Sequence, residues 1–154
     1  MFFILCSILF TLKNMKINSQ RLQQHFEAMS LIGKIGETGT CRPAHTELEK
    51  QGFEIAASWM SAAGMSVRID NFGNLIGSLE GKNPNLPVLM MGSHLDSQPY
   101  GGRFDGVAGV LCAIEVVQTL HDNGITPERT IEVISFADEE GWRFNKAFSA
   151  RVAY

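Results

Sequence analysis

Two short runs hold most of the side chains able to do chemistry. The first is GSHLDSQPYGGRFDG, from Gly92 to Gly106, and the second is SFADEEGWRF, from Ser135 to Phe144. Between them they offer His94, Asp96, Asp105, Asp138, Glu139 and Glu140, with no donor softer than imidazole. One imidazole with several carboxylates suits zinc, manganese or cobalt, and does not suit an iron–sulfur or copper–thiolate centre. Carboxylates gathered at one edge repel one another unless a cation sits among them. Two metals sharing a carboxylate bridge relieve that repulsion, and metals about 3.5–4 Å apart can hold a hydroxide and polarise a carbonyl. A further carboxylate beside the water can then act as general base.

The elements that must position these groups are legible around them. VLMMG, from Val88 to Gly92, is an uninterrupted apolar run of the kind expected for a strand buried on both faces. A helix is expected from Gly106 to about Asn123, ended by Gly124, followed by the strand TIEVISFA from Thr130 to Ala137. Strand, helix and strand make a βαβ unit, whose strands are parallel and whose crossover is right-handed. Both polar runs then leave the carboxyl edge of the sheet, where open α/β sheets bind ligands. Upstream, Leu22, Phe26, Met29 and Ile32 mark a helix from Ser19 to Ile32, closed by Gly33, and Gly33 to Pro43 reads as a loop. Thr46 and Glu49 form a capping box for a second helix whose stripe is Phe53, Ala56, Met60 and Ala63, with Gly64 past its end. SVRID (66–70) and NLIGSLE (74–80) read as a hairpin through Asn71, Phe72 and Gly73.

Composition narrows the function classes. The 154 residues suffice for one domain, and 45% apolar with 19% charged residues is the profile of a globular chain. Thirteen basic against sixteen acidic residues give a net charge of −3, so no cationic field favours nucleic acid or an anionic membrane. Cys6, Cys41 and Cys112 contain no C-x-x-C pair and are odd in number, which argues against a disulfide framework and for a reducing compartment, the cytoplasm. Residues 1–14 are apolar from Phe2 to Leu12 apart from Ser7 and Thr11. That run is shorter than the roughly 18–20 residues of a membrane span and lacks a basic n-region. It is read as an extension outside the fold, with a vestigial targeting segment as the alternative.

Taken together, MGSHLDSQPYGGRFDG, FADEEGWRF and the hairpin GMSVRIDNFGNLIGSLEG resemble the metal-dependent amidohydrolases of the hydantoinase/carbamoylase group. That group includes N-carbamoyl-L-amino acid hydrolases, allantoate amidohydrolases and β-ureidopropionase, within the superfamily of dinuclear zinc aminoacylases and carboxypeptidases. The likeness runs from about Met15 to Phe144. It implies a three-layer αβα fold with a mixed, largely parallel sheet, with residues 15–154 forming the N-terminal part of a dinuclear zinc hydrolase catalytic domain. It implies that His94 ligates the first metal, Asp105 bridges the two and Glu140 ligates the second. Glu139 becomes the general base, and Asp96 orients the His94 imidazole, as carboxylates beside metal-bound histidines do. The implied cofactors are two divalent ions, zinc or manganese with cobalt or nickel as alternatives. The implied reaction is hydrolysis of a linear amide or ureido C–N bond, other than a peptide bond, by a metal-bridging water.

The pattern departs from the family at its end. Members supply two further histidine ligands and an inserted dimerisation domain, whereas no histidine follows His121 here. The expectation is therefore a truncated catalytic domain, inactive alone, whose full-length form is a homodimer acting on a small molecule. A non-catalytic remnant with weak metal binding is the alternative. Individual residues also have plainer readings: Asp105 as the cap of the third helix, and Glu139 and Glu140 as a solvated acidic run. Arg103 and Arg143 are expected to be charge partners of the acidic cluster, with Trp142 and Phe144 packing beneath it. His25, His45 and His121 are expected to lie away from it.

Overall fold

A computed structural model describes residues 15–143 of the chain. The first helix, α1, spans Ser19–Leu31 and is capped by Asn18, whose side chain accepts from the Arg21 N–H. The following segment contains two short strands, β1 (Lys34–Ile35) and β2 (Gly39–Thr40). Helix α2 spans Glu47–Ala62, and its cap Thr46 accepts from the Glu49 N–H. Strands β3 (Ser66–Ile69), β4 (Leu75–Leu79) and β5 (Leu89–His94) follow, then the two-residue β6 (Gly101–Gly102). Helix α3 (Val107–Asp122) and strand β7 (Ile131–Phe136) complete the described chain.

The main sheet has the order β3-β4-β7-β5. Strands β5 and β7 are parallel and joined through α3, as the βαβ reading requires. The other two pairs, β3 with β4 and β4 with β7, are antiparallel. The sheet is therefore mixed, but its described part is not largely parallel. A tight hairpin turn forces β3 and β4 to run opposite ways, and β4 then offers β7 its antiparallel edge. Val88 to Gly92 also departs from expectation. Among the described residues β5 lies at the edge of this sheet, and Val88 and Leu89 are 48% and 45% exposed rather than buried on both faces.

One core joins the helices to the sheet. Met29 of α1, Phe53, Ala56 and Met60 of α2, and Val107, Val110, Leu111 and Ile114 of α3 pack with Leu75, Ile131 and Val133. The stripe read from α2 is thus the buried one, and Gly64 takes the left-handed conformation (φ +79°) just past its end. Helix α3 packs on β5 and β7, α2 on β3, β4 and α3, and α1 on α3. Among the described residues the helices form one layer on one face, so the three-layer arrangement is seen only in part. Ile76 and Ile134, whose neighbours in sequence serve that core, are buried on the opposite face.

The segment from Gly33 to Pro43, expected as a loop, contributes β1 and β2 to a second small sheet ordered β1-β2-β6. Its pairs Gly39 with Gly102 and Thr40 with Gly101 tie this segment to the run that carries Asp105. The expectations for residues 1–14 and for Phe144 lie outside the described residues. No helix among those described is long and apolar enough to cross a membrane.

Candidate metal centre

His94 is the last residue of β5, and Phe136, its register partner, is the last of β7. The two polar runs therefore start side by side at the carboxyl edge. His94 is 5% exposed and Asp96 1%. The His94 Nδ1 lies 3.0 Å from the Asp96 carbonyl oxygen and 3.5 Å from its carboxylate. A carbonyl can only accept, so Nδ1 carries a proton, and Nε2 lies on the far side of the ring from that carbonyl. On that side Glu139 Oε2 stands 3.5 Å from Nε2. Burial pushes the His94 imidazole down, but the charges of Asp96 and Glu139 outweigh it and lift the group to about 8.

Asp96 does more than face the imidazole. Its two carboxylate oxygens accept the backbone N–H groups of Glu139 and Glu140, at 3.3 and 3.2 Å. One residue thus holds His94 with its carbonyl and the acidic dipeptide with its carboxylate. Glu140 accepts from Gln98 Nε2 at 2.7 Å, so its side chain is steered by the same loop. Asp105 is exposed and does not cap α3. The cap is Gly106 at φ +64°, without a side-chain cap bond. Glycine permits that left-handed turn, which starts the helix one residue later and leaves the Asp105 carboxylate uncommitted to capping. A Cβ at Gly106 would lie 2.4 Å from His94 Cε1 and Nε2, so the imidazole rests on the glycine next to Asp105.

Several neighbours are not where the sequence suggested. Trp142 is 55% exposed and does not pack beneath the site. Arg103 stacks on Phe104, 4.7 Å from the ring centroid, and forms no ion pair among the described residues. Arg143 donates to the Ala44 and His45 carbonyls at 2.9 and 3.0 Å. That brings His45 to the acidic edge rather than away from it, and the charges of His45 and Arg143 both reach Asp138. His25 instead stacks on Trp59 at 4.0 Å, and the Gly64 Cα faces the His121 ring.

Three contributors have no role at this edge on sequence alone, although Asp138 is among the candidate donors and Glu49 is read as part of a capping box. Asp138 is 2% exposed, sits at φ +50°, and neither carboxylate oxygen meets a hydrogen-bond donor among the described residues. Burial, then the Asp96 charge, raises its pKa. Glu49 accepts from the His45 N–H at 2.6 Å and is pushed up to about 7, chiefly by burial. Asn74 accepts the Ala137 N–H at 2.9 Å, tying the hairpin to the end of β7. Its place in a hairpin turn was the only clue to it.

The donor set fits a divalent metal in kind: a neutral-capable His94 Nε2 on the Glu139 side and carboxylates at Asp105, Glu139 and Glu140. It does not close in number, since among the described residues no three His, Cys, Asp or Glu side chains converge as a metal-holding group. A cavity of about 650 Å³ between α2 and the hairpin is lined by His45 and Glu49, and by none of the candidate ligands. The ligand chemistry, not that cavity, marks the candidate centre.

The pattern of Peptidase family M28 matches residues 74–145, which include both motifs. An N-carbamoyl-L-amino-acid amidohydrolase of Pseudomonas is 43% identical over 134 residues, 87% of this chain and 32% of the relative. A ureidoglycolate hydrolase of Arabidopsis thaliana is 35% identical over 131 residues, 85% of this chain and 28% of the relative. The chain superposes on the crystal structure of a hydantoinase/carbamoylase family amidase from Burkholderia ambifaria with a TM-score of 0.83. Identity there is 41%, covering 86% of this chain and 32% of that one.

The chain resembles the hydantoinase/carbamoylase amidases over most of its own length and spans about a third of theirs. The M28 match and the amidase matches agree on hydrolysis of a C–N bond. By their names, these relatives act on an N-carbamoyl-L-amino acid and on ureidoglycolate.

Proposed function

We propose that this chain supplies one half of the metal centre of an amidohydrolase that cleaves a linear amide or ureido C–N bond, with N-carbamoyl-L-amino acids as the leading substrate class. The observation that carries the reading is the double grip of Asp96, which draws His94, Glu139 and Glu140 together from two separate strands. In this reading His94, Asp105 and Glu140 would hold two divalent ions, zinc or manganese, with Asp105 as the shared ligand. Bound there, such ions would supply polarisation of the carbonyl and a water of lowered pKa. Glu139 takes a proton from the attacking water and passes it to the leaving nitrogen. The water oxygen bonds to the ureido carbon and one C–N bond breaks, releasing ammonia and an N-carboxy amino acid, which then loses carbon dioxide to leave the free amino acid. The remaining ligands belong to the part of the relatives that this chain does not span, and a cytoplasmic homodimer is the expected complete form.

The test joins this chain to the remaining two thirds of the Pseudomonas relative and measures ammonia release and metal content together. Glu139→Gln keeps the shape but removes the base, so turnover should fall by about 10²–10⁴-fold with metal content unchanged. Glu140→Gln should instead lower occupancy of one metal. Metal loss in the Glu139 variant with retention in the Glu140 variant would reverse the two roles.

A further inference from the structure

Arg42 heads the fully buried side chains, at 1% exposure, and the reading above gives it no task. It lies between β2 and α2, in the stretch the sequence suggested as loop. Its Nε donates to the Leu95 carbonyl at 2.5 Å, and its Nη1 to the Ile32 and Met29 carbonyls at 2.8 and 3.3 Å. Its main chain is paired with Ser97: the Ser97 N–H donates to the Arg42 carbonyl at 2.9 Å, and the Arg42 N–H to Ser97 Oγ at 2.8 Å. Arg42 therefore grips residue 95 with its side chain and residue 97 with its backbone, one on each side of Asp96.

The chemistry of that grip is unusual. A buried guanidinium normally lies against a carboxylate, yet the acceptors in contact here are neutral carbonyls. Burial lowers the Arg42 pKa to about 10, against the opposing influence of Asp96 and Glu49. An apolar side chain of similar volume would fill the space without taking a charge out of water. Only a planar fork can tie the Met29 and Ile32 carbonyls at the end of α1 to the loop after β5.

We infer that Arg42 is a positioning residue for the candidate metal centre. It fixes the bend from Leu95 to Ser97 so that the Asp96 carbonyl holds His94 with Nε2 on the Glu139 side and the Asp96 carboxylate holds the amides of Glu139 and Glu140. The functional meaning rests on the reading under Proposed function. The contacts themselves exist without metal, so they can be tested apart from it.

The experiment uses the metal-free 154-residue chain with ¹⁵N-labelled histidine and backbone. Arg42→Lys keeps the charge and removes the fork. In the parent chain, above the imidazole pKa at about pH 9.5, long-range ¹H–¹⁵N correlations should show His94 as a single Nδ1–H tautomer. In Arg42→Lys the tautomers should mix, and at neutral pH the Glu139 and Glu140 amides should exchange at least about tenfold faster, with amides in the middle of α3 changing far less. A purely structural brace would lower thermal stability and leave both readouts at their parent values, and that result overturns the inference. If Arg42→Lys does not fold, Ser97→Ala decides. It removes one acceptor of the Arg42 backbone and should raise exchange at Glu139 and Glu140 by about two- to fivefold, whereas unchanged exchange overturns the inference. A zinc titration of this chain joined to the remaining two thirds of the Pseudomonas relative separates the two claims. Absence of any binding there sinks the metal reading while the tautomer and exchange results still judge Arg42.

Discussion

Gly106→Ala tests the geometry of the centre without requiring activity. Two costs meet at this position. The backbone sits at φ +64°, where an L side chain costs roughly 1–2 kcal/mol. A Cβ would also lie 2.4 Å from two atoms of the His94 ring, which is held on its other side by the Asp96 carbonyl. Displacing a packed ring adds about 1–3 kcal/mol. Two other glycines separate these costs. Gly36 has φ +56° with nothing near its Cβ position, so Gly36→Ala carries the backbone cost alone. Gly102 has open space and no positive φ, so Gly102→Ala should be neutral or slightly stabilising. Urea denaturation should rank them Gly102, Gly36, Gly106, with the last about 2–5 kcal/mol below the parent chain, or about 4–20 °C in thermal midpoint for a chain of this size. The His94 ring resonances should shift in Gly106→Ala alone. Equal losses for Gly36→Ala and Gly106→Ala, with His94 unmoved, would refute the packing of the imidazole on Asp105's neighbour.

Two further outcomes follow from the same structure. Calorimetry of the isolated chain with zinc or manganese should show weak binding, because no three candidate donors converge among the described residues and zinc ordinarily takes four. Two-site stoichiometric binding at nanomolar affinity would contradict this. Glu115 is 1% exposed and accepts Arg21 Nε and Nη2 at 2.8 and 2.9 Å and the Asn18 N–H at 2.8 Å, joining α3 to α1. Burial alone would raise its pKa, but the Arg21 and Asn18 hydrogen bonds hold it below the usual carboxylate value. A depressed carboxylate contributes its full stability above the unfolded pKa and loses it as pH falls through the folded one. Glu115→Gln should thus cost about 3–5 kcal/mol at pH 7 by urea denaturation, with the gap narrowing below about pH 4. A gap independent of pH would show that the ion pair is not the source of the stability.

What the sequence made legible is what local rules determine. The α2 stripe, its Thr46 cap, the hairpin and the βαβ unit each follow from spacing or turn chemistry, and each stands in the structure. The misses are places where a distant partner decides. VLMMG reads as doubly buried because an apolar run does not say what covers each face of its strand, and among the described residues α3 packs on one face only. Arg42 falls in a stretch that reads as a loop, and nothing local in the sequence marks it as buried, since arginines rarely are. Only β2, folded back onto β6, carries it under the Leu95 carbonyl. The capping box is a smaller case: Glu49 reaches the His45 N–H rather than that of Thr46, because His45 at φ +56° turns its amide inward.

The candidate site itself depends on register more than on motif spacing. His94 and Glu139 stand 45 positions apart in the chain, a separation that by itself brings nothing together. In the parallel pair His94 lies opposite Phe136, so two residues beyond one and three or four beyond the other fall across a single inter-strand gap of about 4.8 Å. Asp96 spans that gap to the Glu139 and Glu140 amides. A slip of one residue in β5 would turn His94 to the opposite face and move Asp96 out of reach of both amides. Val133 and Ile131, buried in the core under α3, hold β7 against such a slip from one side. The Arg42 fork and the Ser97 pairing hold the end of β5 from the other. The same apolar packing that stabilises the sheet is thereby what sets the distance between the imidazole and the two glutamates.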